Sequence, residues 1–228
     1  MLFRSLAAKN NDGWPGFYLA MQNNHADAIR EFGDLLRFIP NPNVRAELLA
    51  AKKTNGTPGF YIAMQENNAD AIHAFGELLN LIPANRRFDL LCAKRAGYTA
   101  LQKSMDKGDL ATLRAYGRSL KFISGGECAE LLAAKDDDGH SWFSNDVRKN
   151  AMTEKRVRNF AVMVQAALPV LNPENRQALL TALTKGLIER DEQGDELQSN
   201  EYQDFKAHFP AAFAECEKLR ELLTNPSA

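Results

Sequence analysis

Apolar residues recur at steps of three and four along most of the chain, and the same arrangement returns at nearly constant intervals. Ile29, Phe32, Leu35, Leu36 and Ile39 place an apolar stripe on one side of a helix. Ile72, Phe75, Leu78, Leu79 and Ile82 repeat the stripe in the same phase. Pro40 and Pro83 end these helices, because proline lacks an N–H and collides with the preceding turn. Pro15 and Pro58 stand where a shorter helix can begin, since proline in a first turn loses no needed donor. That shorter helix is expected to run to about Asn23 and Glu66. A third stretch, NVRAELLAAK (43–52) or NRRFDLLCAK (85–94), is also helical in pattern.

The pattern belongs to an internal repeat. LAAKNNDGWPGFYLAMQNNHADAIREFGDLL (6–36) aligns without a gap on LAAKKTNGTPGFYIAMQENNADAIHAFGELL (49–79). A third copy occupies 91–120 with one residue deleted before Gly97, and a more worn fourth begins at Leu132. The anchors Leu6, Leu49, Leu91 and Leu132 lie 43, 42 and 41 residues apart. A fifth pass from Leu179 keeps only its opening, as suits an end cap. The expected fold is all-α, a single repeat domain over 1–228 with units at about 6–48, 49–90, 91–131 and 132–178 and a cap over 179–228. A helix of about ten residues is marginal alone, so each unit must bury its stripe on its neighbours. Gly33, Gly76 and Gly117 recur inside the second helix. Glycine there costs roughly 1 kcal/mol against alanine, which predicts close approach between stacked helices.

The third copy, GYTALQKSMDKGDLATL (97–113), resembles an ankyrin repeat: Gly97, Thr99, Ala100, Leu101, Gly108, Asp109 and Leu113 fall on its pattern. In the first two copies Pro-Gly-Phe-Tyr (15–18, 58–61) stands where Thr-Pro-Leu-His is expected, while Ala20, Ala63 and Ile29 stay in place. The resemblance covers roughly 6–180 and implies an ankyrin-like solenoid of four to five units. The ankyrin period is roughly 33 residues, so the surplus here points to three helices per unit. By length alone, HEAT or armadillo units compete. The phrase GTPGFYIAMQ…NADAI also resembles ankyrin-type regions of bacterial type III secreted effectors, which implies a targeting role in virulence. Residues 1–9 resemble the end of a third helix, so a chain that opens mid-unit, as a piece of a longer protein, is expected over a trimmed cap.

Composition changes this picture little. The chain has 45% apolar and 25% charged residues and a net charge of −1, which gives no general case for nucleic acid. No apolar run approaches membrane-spanning length, so membrane insertion is not expected. Cys92, Cys128 and Cys216, odd in number and widely spaced, suit a reducing, cytoplasmic compartment. No cleavable signal peptide is visible, and export into a host cell by another route stays open. No CxxC, HExxH, P-loop or GxGxxG is present. DDDGH (136–140) fails as a calcium loop, with Ala134 and Asn145 at its first and twelfth places. No cofactor, metal or catalytic residue is therefore expected.

The recurring lysines Lys9, Lys52, Lys94 and Lys135 read as helix-ending cations at the negative end of a macrodipole, with a basic ladder as the alternative. The residues around the repeat glycine vary. In ankyrin-like proteins they form exposed loop tips, and variable tips on a constant frame suit recognition of another protein. The candidate partner-binding residues are Trp14, Asn11, Asn55, Thr57, Tyr98, Arg95, Asp137 and His140. The aromatic ones would be anchors or would pack on the adjoining tip. The leading expectation is a non-catalytic protein-interaction module. A cysteine-dependent hydrolase or transferase on a helical frame is the alternative, and a secretion chaperone or spacer is weaker. The acidic stretch 186–204 reads as a solvated loop, and the last helix (209–223) as the seal of the final unit.

Overall fold

The computed structural model describes residues 5–107, 109–135, 139, 141–149, 151–184, 188–190 and 196–225. They are mostly helical. The first copy holds α1 (Gly16–Gln22), α2 (Ala26–Arg37) and α3 (Pro42–Leu49). The second holds α4 (Gly59–Glu66), α5 (Ala69–Leu78) and α6 (Ala84–Leu91). The third copy opens with two short strands, β1 (Lys94–Arg95) and β2 (Tyr98–Thr99). Its helices are α7 (Ala100–Lys107), α8 (Leu110–Ser119) and α9 (Gly125–Leu132), and those of the fourth are α10 (Trp142–Arg148), α11 (Glu154–Ala167) and α12 (Pro173–Thr184). Strands β3 (Ile188–Arg190) and β4 (Glu196–Gln198) pair antiparallel within the acidic stretch expected to be a loop. Helices α13 (Asn200–His208) and α14 (Pro210–Thr224) complete the chain.

Helices pack on their counterparts in the next copy through most of the chain. First helices meet as α1 on α4 and α4 on α7; second helices as α2 on α5, α5 on α8 and α8 on α11; third helices as α3 on α6, α6 on α9 and α9 on α12. Helix α14 lies against α11 and α12, with Leu219 and Leu223 buried. The core is a zigzag of rings. Phe17 sits 4.8 Å from Phe32 and 6.2 Å from Phe75, and Phe60 sits 4.9 Å from Phe75 and 5.9 Å from Tyr116. First-helix rings thus alternate with second-helix rings across three copies.

The second-helix glycines are places where adjacent copies approach closely. A Cβ on Gly33 would run into the Leu78 side chain, and one on Gly76 would stand 2.5 Å from Ser119 Oγ. On Gly117 it would meet Ala166 Cβ at 3.1 Å and the Met163 carbonyl at 3.2 Å. The three positions occupy one place in the repeat, each against the second helix that follows.

Polar ties run along the third helices. Arg45 donates to the carbonyl of Ile39 at 2.7 Å in its own copy and of Leu81 at 3.2 Å in the next. Arg87 repeats this with Ile82 at 3.2 Å and Phe122 at 3.1 Å. A guanidinium serves because those carbonyls end second helices and carry uncompensated negative partial charge. Replacing Arg87 by methionine is expected to cost about 1.5–3 kcal/mol, the range for hydrogen bonds from a charged donor. Urea denaturation measures it, and an unchanged midpoint would remove the tie from the account.

Candidate partner-binding surface

The third helices stop earlier than their pattern predicts. Helices α3, α6 and α9 end at Leu49, Leu91 and Leu132, and the lysines lie three residues beyond. There Lys52 and Lys135 form bridges with Pro58 and Ser141, Lys94 pairs with Thr99, and Lys9 likewise faces Pro15. The repeat lysines are therefore exposed on the base of a hairpin and are not helix-terminal residues.

The hairpin explains the repeat glycine. Gly13, Gly56, Gly97 and Gly139 have φ of 77°, 80°, 81° and 82°, the left-handed conformation that glycine adopts without strain. In the first two copies the loop closes through Gly13 N–H to the Asn10 carbonyl and Gly56 N–H to the Lys53 carbonyl. Outer pairs run from Asn10 N–H to Trp14 O and from Lys53 N–H to Thr57 O. This is a three-residue loop with its glycine in the bulge position. In the third copy Ala96 also has positive φ, 49°, and the loop has two central residues, Ala96 and Gly97, as the primed turn requires. The one-residue deletion thus changes the hairpin class and leaves Gly97 in place.

The tips differ in what they present. Asn11, Arg95 and Tyr98 are exposed, Tyr98 at 45% with Lys103 Nζ 4.8 Å from its ring centroid. Asn55 is exposed but uses its Oδ1 to accept from the Thr57 N–H at 3.2 Å and hydroxyl at 2.7 Å. Trp14 is half-buried, edge-on to Tyr18 at 6.0 Å, and Lys53 of the adjoining tip lies 5.1 Å from its ring. Thr57 does not belong with these residues. It is fully buried, because its hydroxyl closes the turn on Asn55. Asp137 and His140 lie outside the described residues. Lys53 and Lys103 were not among the predicted contacts; only the repeat register brings Lys53 over Trp14.

Behind the tips, side chains cap the first helices. Thr99 exchanges hydrogen bonds with Gln102, whose amide reaches the Ala134 carbonyl of the next copy at 3.4 Å. Ser141 accepts from Ser144 N–H and donates to the Leu183 carbonyl. These pairs stand where proline alone begins α1 and α4.

No family model, curated protein or solved structure matched the chain.

The remaining chemistry concerns thiols and ions. Burial pushes Cys128 and Cys216 up to about 12 and raises Cys92, which is half-buried. A raised thiol pKa favours the neutral form in the folded state. That part of the stability is complete below about pH 9 and is lost as pH rises toward 12. Native labelling by a maleimide at pH 7 is expected to be slow at Cys128 and Cys216 and faster at Cys92, read by peptide mass. Rapid labelling of either buried thiol would contradict this burial. Among the described residues no group of His, Cys, Asp and Glu side chains could hold a metal, and no helix is long and apolar enough to cross a membrane.

Proposed function

We propose that the chain is an ankyrin-like helical repeat solenoid, three helices per unit, acting as a non-catalytic module that binds another protein. Support for the stacking comes from the register in which second and third helices meet their counterparts through all four copies, and first helices through the first three. Support for recognition comes from one observation: four glycine-anchored tips share left-handed backbone at the same place yet differ in side chain. A constant scaffold with variable exposed ends suits partner selection. Tyr98 and Arg95 supply an exposed ring and a cation, Trp14 with Lys53 a partly covered ring, and Asn11 and Asn55 polar contacts. The raised thiols favour this over the cysteine-enzyme reading, which needs an accessible thiolate.

The test compares partners recovered by the wild-type chain with those recovered by a Tyr98→Ala/Arg95→Glu variant and by Arg118→Glu, an exposed change on the second-helix side. All three should melt alike. A partner lost by the tip variant and kept by Arg118→Glu is the expected result. Equal recovery by both variants would sink the tip surface.

A further inference from the structure

The first unit differs from the second in one systematic way: the side turned away from the stack is built like an interior face but is uncovered. Phe75 and Leu78 are 0% and 5% exposed, and Leu78 lies where a Cβ on Gly33 of the preceding unit would be. Their equivalents, Phe32 and Leu35, are partly buried and 41% exposed. Phe38 is 77% exposed, whereas its equivalent Leu81 is partly buried. The first helices tell the same story. A Cβ on Gly59 would stand 3.4 Å from Tyr18 Cα in the unit before, while one on Gly16 would meet nothing within 4 Å.

Polar groups follow the same rule. Asn68 donates to the carbonyls of Met21 and Gln22 in the unit before, at 2.9 and 2.7 Å. Asp70 accepts from Asn24 of that unit at 3.3 Å. At the equivalent places stand His25, an exposed-side donor with no such carbonyl to reach among the described residues, and Asp27, whose side chain is 97% exposed.

We propose that this face is a docking surface for a further unit of the same repeat, stacked on the first unit as the first is stacked on the second. The occupant would present a mid-helix glycine opposite Leu35, first-helix carbonyls within reach of His25, and an amide donor for Asp27. A second copy of this chain does not offer those features. Its Gly33, Gly76 and Gly117 are already covered, and its last unit is closed by α14. The surface therefore continues the inter-unit interfaces in tandem. The inference rests on the stacked-unit reading and not on the tips, so the partner-recovery test and the one below fail separately.

The test is a chain with its first unit duplicated, residues 1–52 followed by 10–228. Leu6-Ala-Ala-Lys9 and Leu49-Ala-Ala-Lys52 are identical, so the new junction repeats a native one. Leu35→Cys is placed in the unit that becomes second, and in the parent chain for comparison. The extended chain should gain helical circular dichroism for one unit, and Cys labelling at this position should slow at least about tenfold, as burial behind a local opening step requires. Equal labelling rates would overturn the proposal, as would no gain in helix signal. So would a parent chain that sediments as a dimer and becomes a monomer on Phe38→Glu, since a second copy would then own the face.

Discussion

Phe75→Ala is expected to lower stability by about 3–5 kcal/mol, the range for truncating a fully buried phenylalanine, while Phe32→Ala, the same change one repeat earlier, costs distinctly less. The two side chains occupy equivalent places on α2 and α5. Phe75 has Phe17 on one side and Phe60 on the other, at 6.2 and 4.9 Å, and no exposed surface. Phe32 has Phe17 at 4.8 Å and is only partly buried. The difference between the two costs therefore measures what coverage by a preceding unit contributes. Because stability in stacked repeats is close to a sum of unit and interface terms, Phe75→Ala should also loosen cooperativity. Urea denaturation should show a lower midpoint and a shallower slope for Phe75→Ala, with the slope kept in Phe32→Ala. Equal costs would mean that the two helices are not equivalently stacked.

Gly125→Ala is the second large effect, and helix propensity predicts the opposite sign. Gly125 is the first residue of α9, capped by Ser124 in a reciprocal pair with Glu127. Alanine is the better helix former by about 1 kcal/mol. A Cβ on Gly125, however, would fall onto the carbonyl oxygen of Val170 and 2.6 Å from Asn175 Nδ2. Val170 belongs to the short 3-10 turn Leu168–Val170 that ends α11, so the obstacle is backbone. Overpacking of this kind costs about 1–3 kcal/mol and separates α9 from the fourth unit. At roughly 2–4 °C per kcal/mol for a chain of this size, the melting temperature should drop by several degrees. Gly126→Ala is the internal control: its Cβ would have only Asn175 Oδ1 for company, at 3.9 Å, and it should be neutral or slightly stabilising. If both alanines behave alike, the contact with Val170 is not made in solution.

The helical frame was legible because the apolar stripe has a helical period and prolines mark its limits. Helix α2 ends at Arg37, three residues before Pro40, and α1 ends at Gln22, one residue from the expected stop. The glycines inside second helices were legible too, since a cost incurred three times in register needs a steric reason. The hairpins were not. Leu-Ala-Ala-Lys is a good helical phrase by propensity, and what ends the helix three residues early is pairing across a turn whose only local signal is one glycine. Thr57 was misplaced for a related reason. Variability at a position suggests exposure, but a hydroxyl that closes its own turn is buried however its neighbours vary. The open face of the first unit could not be read from apolar residues that look alike whether covered or bare. Only comparing Leu35 with Leu78, copy against copy, reveals it.

The most direct test of the stack is distance between spin labels on equivalent, exposed second-helix positions. Arg30, His73, Arg114 and Arg158 provide one in each unit. With helices packed about 8–10 Å apart, each added unit should lengthen the separation by about that much. Pulsed dipolar spectroscopy on the pairs 30–114 and 30–158 should therefore give about 20 Å and about 30 Å. A 30–158 separation no longer than 30–114 would mean that the units close on one another as a bundle, and the stacked arrangement would be wrong.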